Sequence, residues 1–216
     1  LRSELELLFQ EKAPYPGMKR MAELGAWDIL FPGIRIGNVV IRTFRRLSAF
    51  LIRISRDFPD FKGAEWLAFL AALVMESSES LQFSVLDRLN LSPKEREIME
   101  ESLQGLRTAD QELGGRAARK NSEIYHYLKE VSPVAALFWS AATERWRVRR
   151  RILLYLSRLH STHSSLTGQD LIRMGYKGGP SLGRILSKLK DSCLDEELPS
   201  REEELIWLET HFPKGE

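Results

Sequence analysis

Apolar residues recur along this chain at spacings of three and four, the period of a helix buried on one side. No run of alternating β-branched residues bounded by hairpin turns interrupts the pattern. Over residues 42–56, Phe44, Leu47, Phe50, Leu51 and Ile54 fall on one side of a helical wheel. Over residues 146–159 the stripe is Val148, Ile152, Tyr155, Leu156 and Leu159. One segment, Trp66 to Leu73, is apolar on every side, which predicts a helix at the centre of a bundle. Starts are marked by Ser92-Pro93-Lys94-Glu95, Ser132-Pro133 and Ser200-Arg201-Glu202-Glu203, where a hydroxyl N-cap precedes a proline or a capping-box glutamate. Stops are marked by Gly25 and Gly175.

The pattern predicts an all-α protein of about eleven or twelve helices, an elongated multi-helix bundle with no sheet. Three parts are expected. Residues 1–36 read as a helix pair broken at Pro14-Tyr15-Pro16-Gly17 and closed by Phe31-Pro32-Gly33. Residues 37–115 read as one bundle around the apolar helix, ending at Gly114-Gly115, and residues 116–216 as a second bundle. Leu1 begins in what reads as mid-helix, as expected of a segment cut from a longer chain.

Composition narrows the class. The chain is 43% hydrophobic and 29% charged, which suits a folded domain rather than disorder. The lone cysteine, Cys193, excludes an internal disulfide framework and fits a reducing, cytoplasmic setting. The longest apolar stretch, Trp66 to Met75, is half the length a membrane span needs. The net charge of +2 conceals a segregation. Residues 37–62 carry six basic and two acidic side chains, and residues 145–190 carry eleven and one. The acids gather in residues 63–115 and 191–216. Charge concentrated in this way points to a polyanionic partner.

Three patterns could carry that contact. Arg42, Arg45, Arg46, Arg53 and Arg56 fall within an arc of about 100° on one helix, with no acid in that helix to relieve them. They suit phosphate, or equally a solvated face paired with the acidic 63–115 segment. A second cluster comprises Arg145, Arg147, Arg149, Arg150, Arg151 and Arg158. The planar guanidinium fork matches two phosphate oxygens at once. Trp146, inside this cluster, suits either the core or a stacking contact with a base or ribose. The third pattern runs from Thr167 to Leu186. Thr167 and Asp170 form a capping-box pair, Gly178-Gly179 a tight turn, and Pro180 the start of the next helix. A helix N-terminus after two glycines presents free N–H groups and a positive dipole end to an anion, with Ser181 in its first turn and Lys177 and Arg184 alongside. The plainer reading is a connector.

Enzymatic patterns are weak. His160 and His163 lie three apart without a second ligand pair, no adjacent His-Asp pair occurs, and there is no Walker-type loop. Cys193 sits among acids that raise its pKa. Asp195-Glu196-Glu197 and Glu202-Glu203-Glu204 read as helix-start and surface charge.

Thr167-Gly168, Asp170-Leu171, Gly175-Tyr176-Lys177, Gly179-Pro180, Gly183 and Ile185-Leu186 together resemble the tail of bacterial class II tRNA nucleotidyltransferases and poly(A) polymerases. Leu194-Asp195, Ser200 to Leu205, Asn121 to Tyr125 and Leu154 to Leu159 extend the resemblance. At the start, Arg2, Glu4-Leu5, Leu24-Gly25 and Phe31-Pro32 resemble the end of the family's neck. Gly178 stands where the family often has proline. The resemblance implies neck, body and tail of an A-adding or CCA-adding enzyme, with the catalytic head absent. It implies a chain that is no enzyme by itself and carries no cofactor, magnesium belonging to a head expected upstream in the same polypeptide. It also implies tRNA as partner, held at acceptor stem and elbow, in the cytoplasm and away from membranes. The alternative is a helical protein-interaction module whose basic faces meet acidic partners.

Overall fold

A computed structural model describes residues 1–11, 13–54, 63–117, 119–198 and 200–213, with residues 53 and 54 described by backbone only. Among them the chain is all-α, with thirteen α-helices, one 3-10 turn and no strand. It divides into two compact units: residues 1–116 with 130–157, and residues 117–129 with 158–216.

The first unit is built on two helices that are apolar all round. In α5 (Glu65–Val74) every residue from Trp66 to Val74 is buried, as the sequence leads one to expect. In α9 (Pro133–Ala142) every residue from Val134 to Ala142 is buried. No amphipathic neighbour can cover such a helix alone, so several pack around the pair. These are α1 (Arg2–Gln10), α4 (Asn38–Ile54), α7 (Pro93–Glu112) and α10 (Trp146–Ser157). Phe9 of α1, Phe44 of α4 and Phe69 of α5 meet with ring centroids 5.1 to 5.8 Å apart. This demand for cover explains why residues 130–157, which sequence order places beyond Gly114-Gly115, lie in the first unit: α9 and α10 bury their stripes there. The Pro-Tyr-Pro-Gly segment also differs from expectation. It forms the first turn of α2 (Pro14–Glu23) rather than a break, because a proline at the first helical position gives up only an N–H that lacks a partner anyway.

Gly105, in the middle of α7, would be a poor helix former were it not for its neighbour. A Cβ there would overlap the ring of Trp139 on α9, whose indole Nε1 donates to the Ser102 carbonyl at 2.8 Å. The absent side chain is what lets α7 and α9 close on each other.

The second unit holds α8 (Asn121–Leu128), the 3-10 turn Leu159–Ser161, α11 (Gly168–Arg173), α12 (Pro180–Leu194) and α13 (Arg201–His211). Its core is Leu166, Leu171, Leu182, Ile185, Leu189 and Leu208. Two segments that carry the family resemblance meet here. Ser122 donates its backbone N–H and its hydroxyl to Asp195 at 2.8 and 2.9 Å, and the Asn121 amide donates to the Leu194 carbonyl at 2.9 Å. Asp195 thus supplies from the end of α12 the acceptor that α8 lacks in its own sequence.

Glu204 of α13, only 4% exposed, is the other fastening point. It accepts hydrogen bonds from the Ser164 hydroxyl, the Ser165 N–H and hydroxyl, and the Leu166 N–H, all between 2.8 and 3.1 Å. Burial alone would raise its pKa, but these donors together hold it below the ordinary glutamate value. The loop before α11 is thereby tied to α13.

Two expectations follow. Gly105→Ala should destabilise the protein by about 1–3 kcal/mol through overpacking, although helix propensity alone favours alanine by about 1 kcal/mol. Chemical denaturation measures it, and a variant as stable as the parent would mean that Trp139 yields freely. Because the folded pKa of Glu204 is lowered, its stabilisation is complete above the unfolded pKa and is lost as pH falls through the folded value. Glu204→Gln should therefore cost about 1–3 kcal/mol near neutrality and flatten the acid limb of the stability curve. An unchanged acid limb would deny the carboxylate this role.

Candidate nucleic-acid interface

The two basic segments of the first unit converge at the C-terminal end of α9. Arg46 of α4 donates to the carbonyls of Ala141 at 3.0 Å and Thr143 at 3.3 Å. Arg149 of α10 donates to the carbonyls of Ser140 at 3.2 Å and Thr143 at 2.5 Å. Glu144 then lies 2.9 Å from Arg42 and 3.3 Å from Arg46. Burial first, and then the Arg46 charge, draws the Arg149 guanidinium below its ordinary pKa, with Glu144 acting the other way. A helix C-terminus offers unpaired carbonyls and the negative end of a dipole, so arginines gather there without any ligand.

The end of α7 is treated alike. Arg145 donates to the Asp110 carbonyl at 2.9 Å, and Arg151 to the carbonyls of Leu113 at 2.5 Å and Gly115 at 3.1 Å. A Cβ on Gly114 would strike the Asp110 carbonyl oxygen, so the chain passes close enough here for Arg145 to reach across. Arg46, Arg145, Arg149 and Arg151 thus have donors committed to backbone. The remaining arginines of these clusters face outward in varying degree. Arg42 and Arg45 are exposed, with Arg45 set 4.5 Å over the Tyr15 ring. Arg147 lies 4.9 Å over Trp146, which is itself 57% exposed and not part of the core. Arg150 is exposed and hydrogen-bonds to none of the described residues. Arg56 and the Arg53 side chain lie outside the described residues.

In the second unit Arg158 precedes the 3-10 turn and pairs with Glu196 at 2.7 Å. The hairpin around Gly179 has the geometry its sequence suggests. Thr167 and Asp170 form the capping box of α11, and Gly175 at φ +96° ends that helix. Gly179 caps α12 at φ +114°, ψ −163°, a region that L side chains rarely adopt. Gly178 has no such φ, and a Cβ there would meet open space, so nothing around it demands glycine.

Lys177, Gly178, Gly179, Ser181 and Arg184 are all exposed. Lys177, Ser181 and Arg184 line a surface groove of about 660 Å³ together with Lys188, His211, Tyr176, Ile185 and Phe212. No carboxylate is among its described lining residues. The Tyr176 hydroxyl donates to the Phe212 carbonyl at 2.8 Å, which fixes the end of α13 against the hairpin. Lys188 and His211 are additions to the site. Lys188 is one turn beyond Arg184 and could have been found by helical spacing. His211 arrives only through the packing of α13, which no local signal announces.

The exposed cations of the groove offer positive charge to an anion. Burial, then the charge and the hydrogen bond of Glu204, push the Cys193 thiol up to about 12, so it holds almost no thiolate at neutral pH. Among the described residues no three His, Cys, Asp or Glu side chains form a metal-binding group, and no helix is long and apolar enough to cross a membrane.

No family model matches the chain. It is 24% identical over 209 residues to the A-adding tRNA nucleotidyltransferase of Geobacter sulfurreducens, covering 95% of this chain and 24% of that protein. Its fold matches the solved Thermotoga maritima CCA-adding enzyme complexed with tRNA, with a TM-score of 0.68 and 22% identity, over 97% of this chain and 50% of that one. A solved tRNA-processing enzyme complex matches with a TM-score of 0.70 and 18% identity, over 90% of this chain and 50% of that chain. The chain therefore spans about a quarter of the length of the curated relative and half that of the solved enzymes. Over that span the resemblance read from the sequence holds: the chain is similar in sequence to part of an A-adding tRNA nucleotidyltransferase and shares the fold of half of a solved CCA-adding enzyme.

Proposed function

We propose that this chain is the tRNA-holding portion of a nucleotidyltransferase that extends the tRNA 3′ end, and that a separate catalytic head in the same polypeptide performs the transfer. The observation that carries the reading is the groove beside α12. A glycine at φ +114° opens the helix, and Lys177, Arg184 and Lys188 stand around its first turns with no acid among the described lining residues. Pro180 has no N–H and those of Leu182 and Gly183 both donate to the Gly179 carbonyl, so it is chiefly the flanking cations that suit a phosphate, and they read no base. In the first unit, Arg42, Arg45, Arg147 and Arg150 supply the outward charge. The likeness to a solved enzyme bound to tRNA supports tRNA as the polyanion, and the length of the relatives supports a head elsewhere.

Two experiments test this. The parent protein should bind several different tRNAs with similar affinity and an unstructured RNA of equal length more weakly, because phosphate contacts recognise shape. Gly179→Val should reduce tRNA affinity about tenfold without changing the salt slope, since strain of about 1–2 kcal/mol falls on the turn and not on a charge. Replacing Lys177 and Arg184 together by alanine should lower the slope of log affinity against log salt by about 1.8. Binding titrations at several salt concentrations, with circular dichroism confirming the fold, decide it. Equal affinity for the unstructured RNA, or displacement of tRNA by an acidic protein with no salt-slope change in the double variant, would favour the protein-interaction alternative.

The second test concerns Glu144, whose carboxylate sits between Arg42 and Arg46 where a phosphate oxygen would otherwise go. Glu144→Gln should strengthen tRNA binding about two- to fivefold, the scale of an exposed ion pair. Unchanged or weaker binding would remove Arg42 from the interface.

A further inference from the structure

The chain has five tryptophans, and the structure treats one of them differently. Trp27, Trp66 and Trp139 are at most 3% exposed. The indole N–H groups of Trp27 and Trp139 donate to the carbonyls of Met18 and Ser102 at 2.9 and 2.8 Å. Trp207 is half-buried and stacks on His211 at 4.5 Å. Trp146, the first residue of α10, is 57% exposed, and its indole N–H reaches none of the described residues. A large apolar ring more than half in water contributes little to folding, so its surroundings are informative about what it meets.

Those surroundings are cationic. Arg147 places its guanidinium 4.9 Å from the ring centroid, where the attraction is to the ring's negative face. Arg150 lies one helical turn beyond Trp146 on the same side of α10, exposed and unpaired among the described residues. From Arg145 to Arg151 there is no carboxylate, and Arg145, Arg149 and Arg151 are held inward by backbone carbonyls. The outward residue is therefore a flat ring with a free guanidinium a turn away. An acidic peptide would satisfy Arg150 and leave the indole in water. A base with its phosphate satisfies both, by stacking on the ring and pairing with the arginine.

We propose that Trp146 is a stacking surface for an unpaired base of the bound RNA, and that Arg150 takes an adjoining phosphate. This rests on the RNA-binding reading above, and adds a contact that distinguishes an open base from a paired one.

The test uses the full chain with two RNA hairpins of identical stem, one blunt and one with a short single-stranded overhang. The overhang hairpin should bind more tightly than the blunt one and should quench the emission of the exposed tryptophan. Trp146→Ala should lower affinity for the overhang hairpin about five- to hundredfold, erase its advantage over the blunt hairpin, and leave the salt slope unchanged. Trp146→Phe should keep most of the affinity while losing the emission change, since a phenyl ring still stacks. Arg150→Ala should lower the salt slope by about 0.7 to 0.9. Parent protein that binds both hairpins equally, or a Trp146→Ala variant that binds like the parent, would overturn the stacking proposal and leave the phosphate reading of the groove standing. A parent that binds no RNA would overturn both.

Discussion

Two helices with no polar face set the terms for the first unit. Because α5 and α9 are apolar on all sides, any surface of either left uncovered costs hydrophobic free energy, on the order of 25 cal/mol for each Å². Cover has to come from every direction, and so from helices distant in sequence. That is why α1, α4, α7 and α10 gather around the pair, and why the chain leaves this unit after residue 116 and returns at residue 130. Close approach of α7 to α9 depends in turn on Gly105, where a side chain would overlap the Trp139 ring.

Burying α9 so completely has an electrostatic consequence. The carbonyls at its C-terminal end cannot all turn to water, so Arg46 and Arg149 are recruited to them from helices on either side. The same solution recurs at the end of α7 with Arg145 and Arg151. Part of the positive charge in this sequence therefore belongs to helix capping. An arginine serving a carbonyl keeps its charge and still adds to the local field, but its donors are spoken for. The arginines whose forks remain open, Arg150 the clearest among the described residues, have donors to offer to something outside the fold.

How much of this was legible in the sequence follows from which forces act locally. Capping boxes at Ser92, Thr167 and Ser200 were readable because donor and acceptor lie three residues apart, and all three form. The left-handed turn at Gly175 and the special φ of Gly179 were readable because glycine is the residue such φ values favour. The apolar run of α5 announced its burial. The run of α9 does so equally, yet it was placed by sequence order in the wrong company, since what an all-apolar helix packs against is a tertiary matter. The Pro14-Tyr15-Pro16-Gly17 break failed for a different reason: prolines that end one helix serve equally well to begin the next. The arginine clusters were found as charge. Their division into capping and outward groups depends on carbonyls tens of residues away, which no periodicity encodes.

That division also bears on why the hairpin and the arginine surface need not act alike. The groove beside α12 is made of backbone geometry, held by a glycine conformation, by the Tyr176 hydroxyl on the Phe212 carbonyl, and by Glu204 fastening the preceding loop. Changing the turn spoils it. The surface around Trp146 is made of side chains on an already rigid helix, since Val148, Ile152, Tyr155 and Leu156 bury the opposite face of α10. Its character lies in what the side chains are, a ring and a guanidinium, and altering them leaves the helix intact.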